Sequence, residues 1–124
     1  MTTPKIRLGR GGEDLARSYL EKQGYIFVAA NWRWRSGELD LVMRDGKVLV
    51  IVEVKTRHGE AAGRAEEAIS FAQGKRILNT AERFVMEHPD LDIIGWRVDL
   101  VAVTYERGDH PARVTHWADA VVTG

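Results

Sequence analysis

The chain predicts an α/β fold with elements in the order α-β-β-β-α-β, and three observations carry that reading. Apolar residues recur at helical spacing in two stretches, Leu15, Ala16, Tyr19, Leu20 and Ile77, Ala81, Phe84, Val85. Two segments of alternating or apolar residues flank Asp45-Gly46, the dipeptide most typical of a two-residue hairpin turn. Every residue from Val48 to Val52 is apolar, as in a central strand buried on both faces.

Each element follows from local chemistry. Gly9-Arg10-Gly11-Gly12 leads into a helix from Glu13 to Gln23, and Gly24 supplies the stop. Glu13 stands in the first turn, where the helix dipole favours negative charge. Tyr25 to Trp34 reads as the first strand, with Trp32 and Trp34 on one face and expected to pack. Gly37 to Met43 and Val48 to Lys55 form the hairpin, and the polar, Gly-rich stretch Thr56 to Arg64 is expected to be a loop. Ser70-Phe71-Ala72-Gln73 fits a capping box, opening a helix that reaches about His88 and ends before Pro89. Ile93 to Thr104 is the next strand and Arg113 to Trp117 a short last one. Asp99 interrupts the apolar run Val98 to Val103 and is expected in a structural ion pair.

Composition narrows the function classes. With 124 residues the chain is expected to be one domain, 1–124, with a core over about 9–104 and a short strand and tail beyond it. The absence of Cys excludes disulfides, thiolate metal sites and a Cys nucleophile, and suits a reducing compartment. No apolar stretch approaches the roughly 20 residues of a membrane span, and Met1 to Arg7 lacks the apolar core of a signal peptide. A cytoplasmic protein with no membrane association is expected. Net charge is zero, but residues 1–57 hold 11 Lys/Arg against 7 Asp/Glu, and the second half holds the reverse. Arg7, Arg10, Arg33, Arg35 and Arg57 lie in the basic half and are candidates for contacting DNA phosphates. So modest a charge fits weak, salt-sensitive binding or help from a partner protein.

The chemistry sits on the hairpin. Strands alternate faces with period two, so Leu49, Ile51, Glu53 and Lys55 share one face of the second hairpin strand. On the first, Leu39, Leu41 and Met43 point one way, and Glu38, Asp40, Val42 and Arg44 the other. An Asp45-Gly46 turn pairs Arg44 with Lys47 and makes Asp40 and Glu53 diagonal neighbours, their Cα atoms roughly 7–8 Å apart. Two partly buried carboxylates cannot both ionise cheaply, and a divalent cation resolves that conflict. Mg²⁺ (or Mn²⁺) takes hard oxygen ligands, usually one or two carboxylates, and keeps water or phosphate in its other positions. Lys55 then sets an ammonium beside the attacking water or the scissile phosphate. That set suits phosphodiester hydrolysis.

Asp40, twelve residues, then Glu53-Val54-Lys55 resembles the PD-(D/E)XK nuclease signature of the restriction-endonuclease-like fold. More narrowly, the chain resembles the YraN-type family of small bacterial endonuclease-like proteins, themselves similar to Holliday junction resolvases. The matching blocks are Gly12-Glu13-Asp14-Leu15-Ala16, Gly37 to Val42, Val52 to Arg57 and Arg97 to Val103. The resemblance implies an αβββαβ core with a mixed central sheet flanked by helices. It implies Asp40, Glu53 and Lys55 as catalytic residues, with Glu13 or Glu38 completing the metal site. It also implies a polar or basic residue on the helix after Lys55 that positions phosphate; Lys75 is chosen there, and Gln73 is given the cap. The usual proline is replaced by Leu39. Dimerisation is implied too, because symmetric cutting of two strands needs two sites.

Other chemistries fare poorly. His58, His88, His110 and His116 lack zinc spacing, and no glycine-rich stretch runs from a strand into a helix as a phosphate loop would. Three readings stay open at this point: a metal-dependent nuclease acting on branched or structured DNA, a non-catalytic nucleic-acid or protein adaptor on the same fold, and a structural acid cluster.

Overall fold

The computed structural model describes residues 11–58, 69–107 and 110–121. Its elements are α1 (Gly11–Lys22), β1 (Ile26–Trp34), β2 (Gly37–Asp45), β3 (Val48–His58), α2 (Phe71–Glu87), β4 (Gly95–Arg107) and β5 (His110–Trp117). The strands form one sheet in the order β1-β2-β3-β4-β5. Neighbours are antiparallel except β3 and β4, which run parallel from Val48↔Gly95 to His58↔Tyr105. A parallel pair needs a long crossover, and α2 lies in the chain between these two strands.

One helix covers each face. Ala16 and Leu20 of α1 pack with Leu41, Met43, Val50, Val52, Val101 and Val103. Ile77, Ala81 and Phe84 of α2 pack on the opposite face with Leu39, Val42, Leu49, Ile51 and Val98. Residues 49 to 52 are therefore buried alternately under both helices, which explains why β3 is apolar on both sides. Trp32 belongs to the α2 cluster, with its ring edge-on to Phe84 at 5.1 Å and stacked on Trp34 at 5.7 Å. The tryptophans pack, as expected. Among the described residues no helix is long and apolar enough to cross a membrane.

The hairpin turn departs from expectation. The last rung is Asp45↔Val48, so the two-residue loop is Gly46-Lys47, and Gly46 takes the positive φ of 63°. An Asp45-Gly46 loop of the expected kind needs positive φ at both central residues; a glycine-first loop spares the aspartate. The register moves by two residues, so the facing relation of β3 to β2 keeps its parity.

The second departure is a change of face within β2. Regular alternation puts Leu39 with Leu41 and Met43, yet Leu39 packs under α2 and the other two under α1. At that point Asn31 adopts a left-handed φ of 53°, and the pair Asn31/Asp40 drops out of the ladder between Ala30↔Leu41 and Trp32↔Leu39. Both strands turn over there. Strand β3 also continues through His58, so the start of the expected loop at Thr56 is strand; Gly59 to Arg64 lie outside the described residues, as does Arg10.

Gly12 seats α1 beside the functional end of β3. A Cβ built there would collide with Thr56 Oγ1, so the helix approaches this closely only without a side chain. Gly12→Ala is expected to lower stability by about 1–3 kcal/mol, because Thr is stiff at χ1 and cannot swing aside freely. Urea denaturation of Gly12→Ala and of Gly12→Ala/Thr56→Ala checks this, the second substitution restoring most of the loss.

Candidate functional site

Strand β2 leaves β3 after the rung Leu41↔Val52, one residue short of Asp40 and Glu53. In the opened fork the Val54 backbone N–H donates to Asp40 Oδ2 at 2.9 Å. A carboxylate thus takes the place of a strand. Glu53, on the next position of β3, faces α2 and is held by two donors. Gln73 Nε2 donates to Glu53 Oε2 at 3.1 Å, and Lys55 Nζ lies 3.3 Å from the same oxygen. The Lys55 and Glu53 side chains are only 19% and 12% exposed, so water screens this ion pair poorly.

Glu38, Asp40 and Glu53 line one cavity of about 120 Å³, closed by Gln73, Arg76 and Thr80 of α2. Burial and the neighbouring Glu53 charge push Asp40 up to about 7, and a hydrogen bond shared with Glu53 and the charge of Glu38 add to this. The Val54 N–H pulls the other way and does not prevail. Near neutral pH the cavity thus holds adjacent acids that prefer to keep a proton between them. A dication would relieve that conflict, and the donors present are the hard oxygens Mg²⁺ selects. Among the described residues no three acidic, His or Cys side chains are grouped closely enough to hold an ion alone. The fit is therefore to two carboxylates with water or phosphate completing the shell, the usual habit of Mg²⁺.

Glu13 reaches the site indirectly. Asn31 Nδ2 donates to Glu13 Oε1 at 3.0 Å and to Glu38 Oε2 at 3.3 Å, linking the start of α1 to the cavity wall. Asp40, Glu53, Lys55 and Glu38 are brought together, and Glu13 stands one side chain behind them.

The basic residues scatter. Arg33 Nε lies 3.6 Å from Glu38 Oε1 at the surface, whereas Arg35 lines a separate cleft with Trp34, Ser36 and Arg83. Arg57 is half-buried and donates to its neighbour Thr56 O. Lys75 faces away from the acids: its ammonium sits 5.6 Å over the Phe71 ring, on the wall of an apolar cavity of about 570 Å³ with Leu78, Trp96 and Val121. Arg76 is the cation of α2 that lines the acid cavity.

The capping box is half made. Ser70 Oγ accepts the Gln73 N–H at 3.1 Å, but the Gln73 side chain turns to Glu53 instead of back to the cap. Arg76 and Thr80 follow Gln73 at i+3 and i+7, one helical face. That spacing was the available signal for the cavity wall. Nothing comparable in the sequence marks Asn31.

Asp99 is a buried acid of the other kind. It is fully buried and accepts from Arg97 Nε at 2.9 Å, His116 Nε2 at 2.7 Å and the Asp119 N–H at 2.8 Å. Burial alone would raise its pKa, but bonds from His116, Arg97 and Asp119 outweigh that and hold it below the usual value. The expected structural ion pair is present.

A five-stranded mixed sheet with a helix on each face, and acids gathered where β2 parts from β3, defines an α/β protein with a restriction-endonuclease-like core. The family model described as uncharacterised protein family UPF0102 matches residues 12–103, spanning α1 to β4. The chain belongs to that family. It is 44% identical over 108 residues to a UPF0102 protein of Chloroflexus aurantiacus, covering 87% of this chain and 88% of the relative. It is 42% identical over 120 residues to one of Syntrophotalea carbinolica, covering 97% and 95%. An Arthrobacter relative is 45% identical over 112 residues, covering 90% and 93%.

The raised Asp40 pKa has a stability consequence with a definite sign. A folded pKa near 7 against an unfolded value of 3.8 means that the native state binds the extra proton. This contribution is complete below about pH 4 and is lost as pH rises through about 7. Urea midpoints are therefore expected to carry a downward component across that window in the wild type, and not in Asp40→Asn. Parallel curves for the two proteins would remove Asp40 as the source.

Proposed function

We propose that this protein is a divalent-cation-dependent nuclease that hydrolyses phosphodiester bonds in branched or otherwise structured DNA. The observation that carries the reading is the half-buried Asp40–Glu53 pair with Lys55 bonded to Glu53, facing a cavity that α2 closes with a glutamine and an arginine. A structural cluster would satisfy each of its acids, as Asp99 is satisfied; here Asp40 faces Glu53 and Glu38 with one backbone N–H to offset them.

Asp40 and Glu53 would hold the ion, with Glu38 from the cavity wall as the nearest further carboxylate and Glu13 behind it. Bound Mg²⁺ or Mn²⁺ lowers the pKa of an attacking water and offsets charge building on the phosphate. The protein's own groups do the rest. Asp40 gives up its shared proton when a cation arrives, so cation affinity rises with pH up to about 7. Lys55, anchored on Glu53, keeps an ammonium at the reacting centre, where it orients water or stabilises the departing charge. Gln73 fixes the Glu53 rotamer through its amide. Arg76, at the cavity wall, takes the phosphate-positioning role in place of Lys75. Exposed Arg33 and Arg35 and half-buried Arg57 add contacts to backbone phosphates, while Arg10 lies outside the described residues. A homodimer would supply two such sites to a junction.

The test compares wild type, Asp40→Asn and Lys55→Ala on linear, single-stranded and four-way-junction DNA with and without Mg²⁺ or Mn²⁺. Asparagine is the informative replacement, since its amide oxygen still accepts the Val54 N–H and spares the fork. Wild type is expected to cut only with the cation. Asp40→Asn and Lys55→Ala are each expected to lose at least about a hundredfold, the scale of a lost general acid–base or charge-stabilising group. Lys55→Ala should still bind metal. Equal trace cutting by all three proteins would point to contamination and leave an adaptor on a nuclease fold.

A further inference from the structure

Asn31 combines three properties that no neighbour shares. Its backbone is left-handed, with φ 53°, a conformation asparagine tolerates better than other side-chain-bearing residues. It stands where β1 and β2 turn over, at the rung missing beside Asp40. Its single amide nitrogen reaches two carboxylates that arise from different elements, Glu13 of α1 and Glu38 of β2. An amide NH₂ carries two protons in a fixed plane, one for each acid. That wedge offsets repulsion between the two like charges, beside the Arg33 guanidinium already near Glu38.

Resting on the cation-binding reading of the site, we propose that Asn31 is a positioning residue that yokes Glu13 to Glu38, so that the two acids stand as one unit beside the Asp40–Glu53 pair and act on its cation through the water of the shell. Asn31 touches neither phosphate nor ion. The kink aims its side chain: a right-handed or extended backbone at residue 31 would direct the amide elsewhere, and the strained conformation is kept where the two strands change face. The yoke also answers which of Glu13 and Glu38 completes the site. Both accept from the one Asn31 amide, so a displacement of either acid disturbs the other.

The experiment is Mn²⁺ titration of the whole protein, read by electron paramagnetic resonance, with Asn31→Gly, Glu13→Ala and the double variant. Glycine accepts the positive φ, so the fold is kept and only the amide is removed. Asn31→Gly is expected to weaken Mn²⁺ binding about 10–100-fold, as loss of a group that orients ligands does. Glu13→Ala should weaken it in the wild-type background and change little once Asn31 is glycine. Wild-type affinity in Asn31→Gly, or an undiminished Glu13→Ala loss in that background, overturns the yoke. If wild type binds no Mn²⁺, the nuclease reading fails first. The same variants then decide the yoke by thermal melting: non-additive midpoint shifts keep the Asn31–Glu13 coupling, and additive shifts end it.

Discussion

One hydrogen bond organises the functional end of this sheet: the Val54 N–H held by the Asp40 carboxylate at 2.9 Å. Once β2 peels away after Leu41↔Val52, that N–H has no strand opposite it. Left unmade, a buried donor would cost about 1–3 kcal/mol. By supplying the acceptor from a side chain, the chain lets two strands part without orphaning the backbone. The parting creates the room in which Glu38, Asp40 and Glu53 meet, and α2 closes that room from one face while α1 brings Glu13 from the other. The site is thus a by-product of how a sheet is allowed to open.

The same bond sets the site's electrostatics. Accepting an N–H favours ionised Asp40, yet burial and the Glu53 charge prevail and keep a proton in the pair. Asp40 is tied to the backbone, so it cannot swing out to water to escape its neighbour. Glu53 is held in turn by Gln73 and Lys55. Geometry is fixed at the expense of charge balance, and the proposed cation would relieve that imbalance.

Much of this was legible in the residues. The parity of β2 and β3 survived a turn misplaced by one residue, because the register error was two and faces repeat every two. The apolar run of β3 announced burial on both sides, and Ser70 announced the start of α2. What escaped was the local inversion at Asn31 and Asp40. Period-two counting assumes an uninterrupted strand, and a single left-handed residue resets it; Leu39 consequently packs opposite to where counting puts it. Lys75 and Arg76 are adjacent cations on α2, and charge alone does not say which side of a helix faces the sheet. The face that carries Gln73 also carries Arg76 and Thr80, and Lys75 turns toward Phe71.

One buried and one half-buried acid on this sheet show how structure and chemistry are told apart. Asp99 is sealed from water and accepts from a guanidinium, an imidazole and a backbone N–H, which tie β4 to β5 and to the turn beyond it. Arg97 in turn donates to the Tyr25 hydroxyl, so the network is satisfied within itself. Its carboxyl lies below the usual range because those donors outweigh burial. Asp40 is raised instead, since its main neighbours are further carboxylates and its one backbone donor is not enough. Evaluated by burial alone, both would look like core polar groups. Evaluated by partners, Asp99 is already compensated, whereas Asp40 meets Glu53, Glu38 and a single backbone N–H. A fold that merely needed to close the gap between β2 and β3 could do so with a neutral acceptor at residue 40 and no acid at 53. Keeping two acids there, with Lys55 bonded to only one of them, makes sense if, as proposed, the missing charge arrives with a cation.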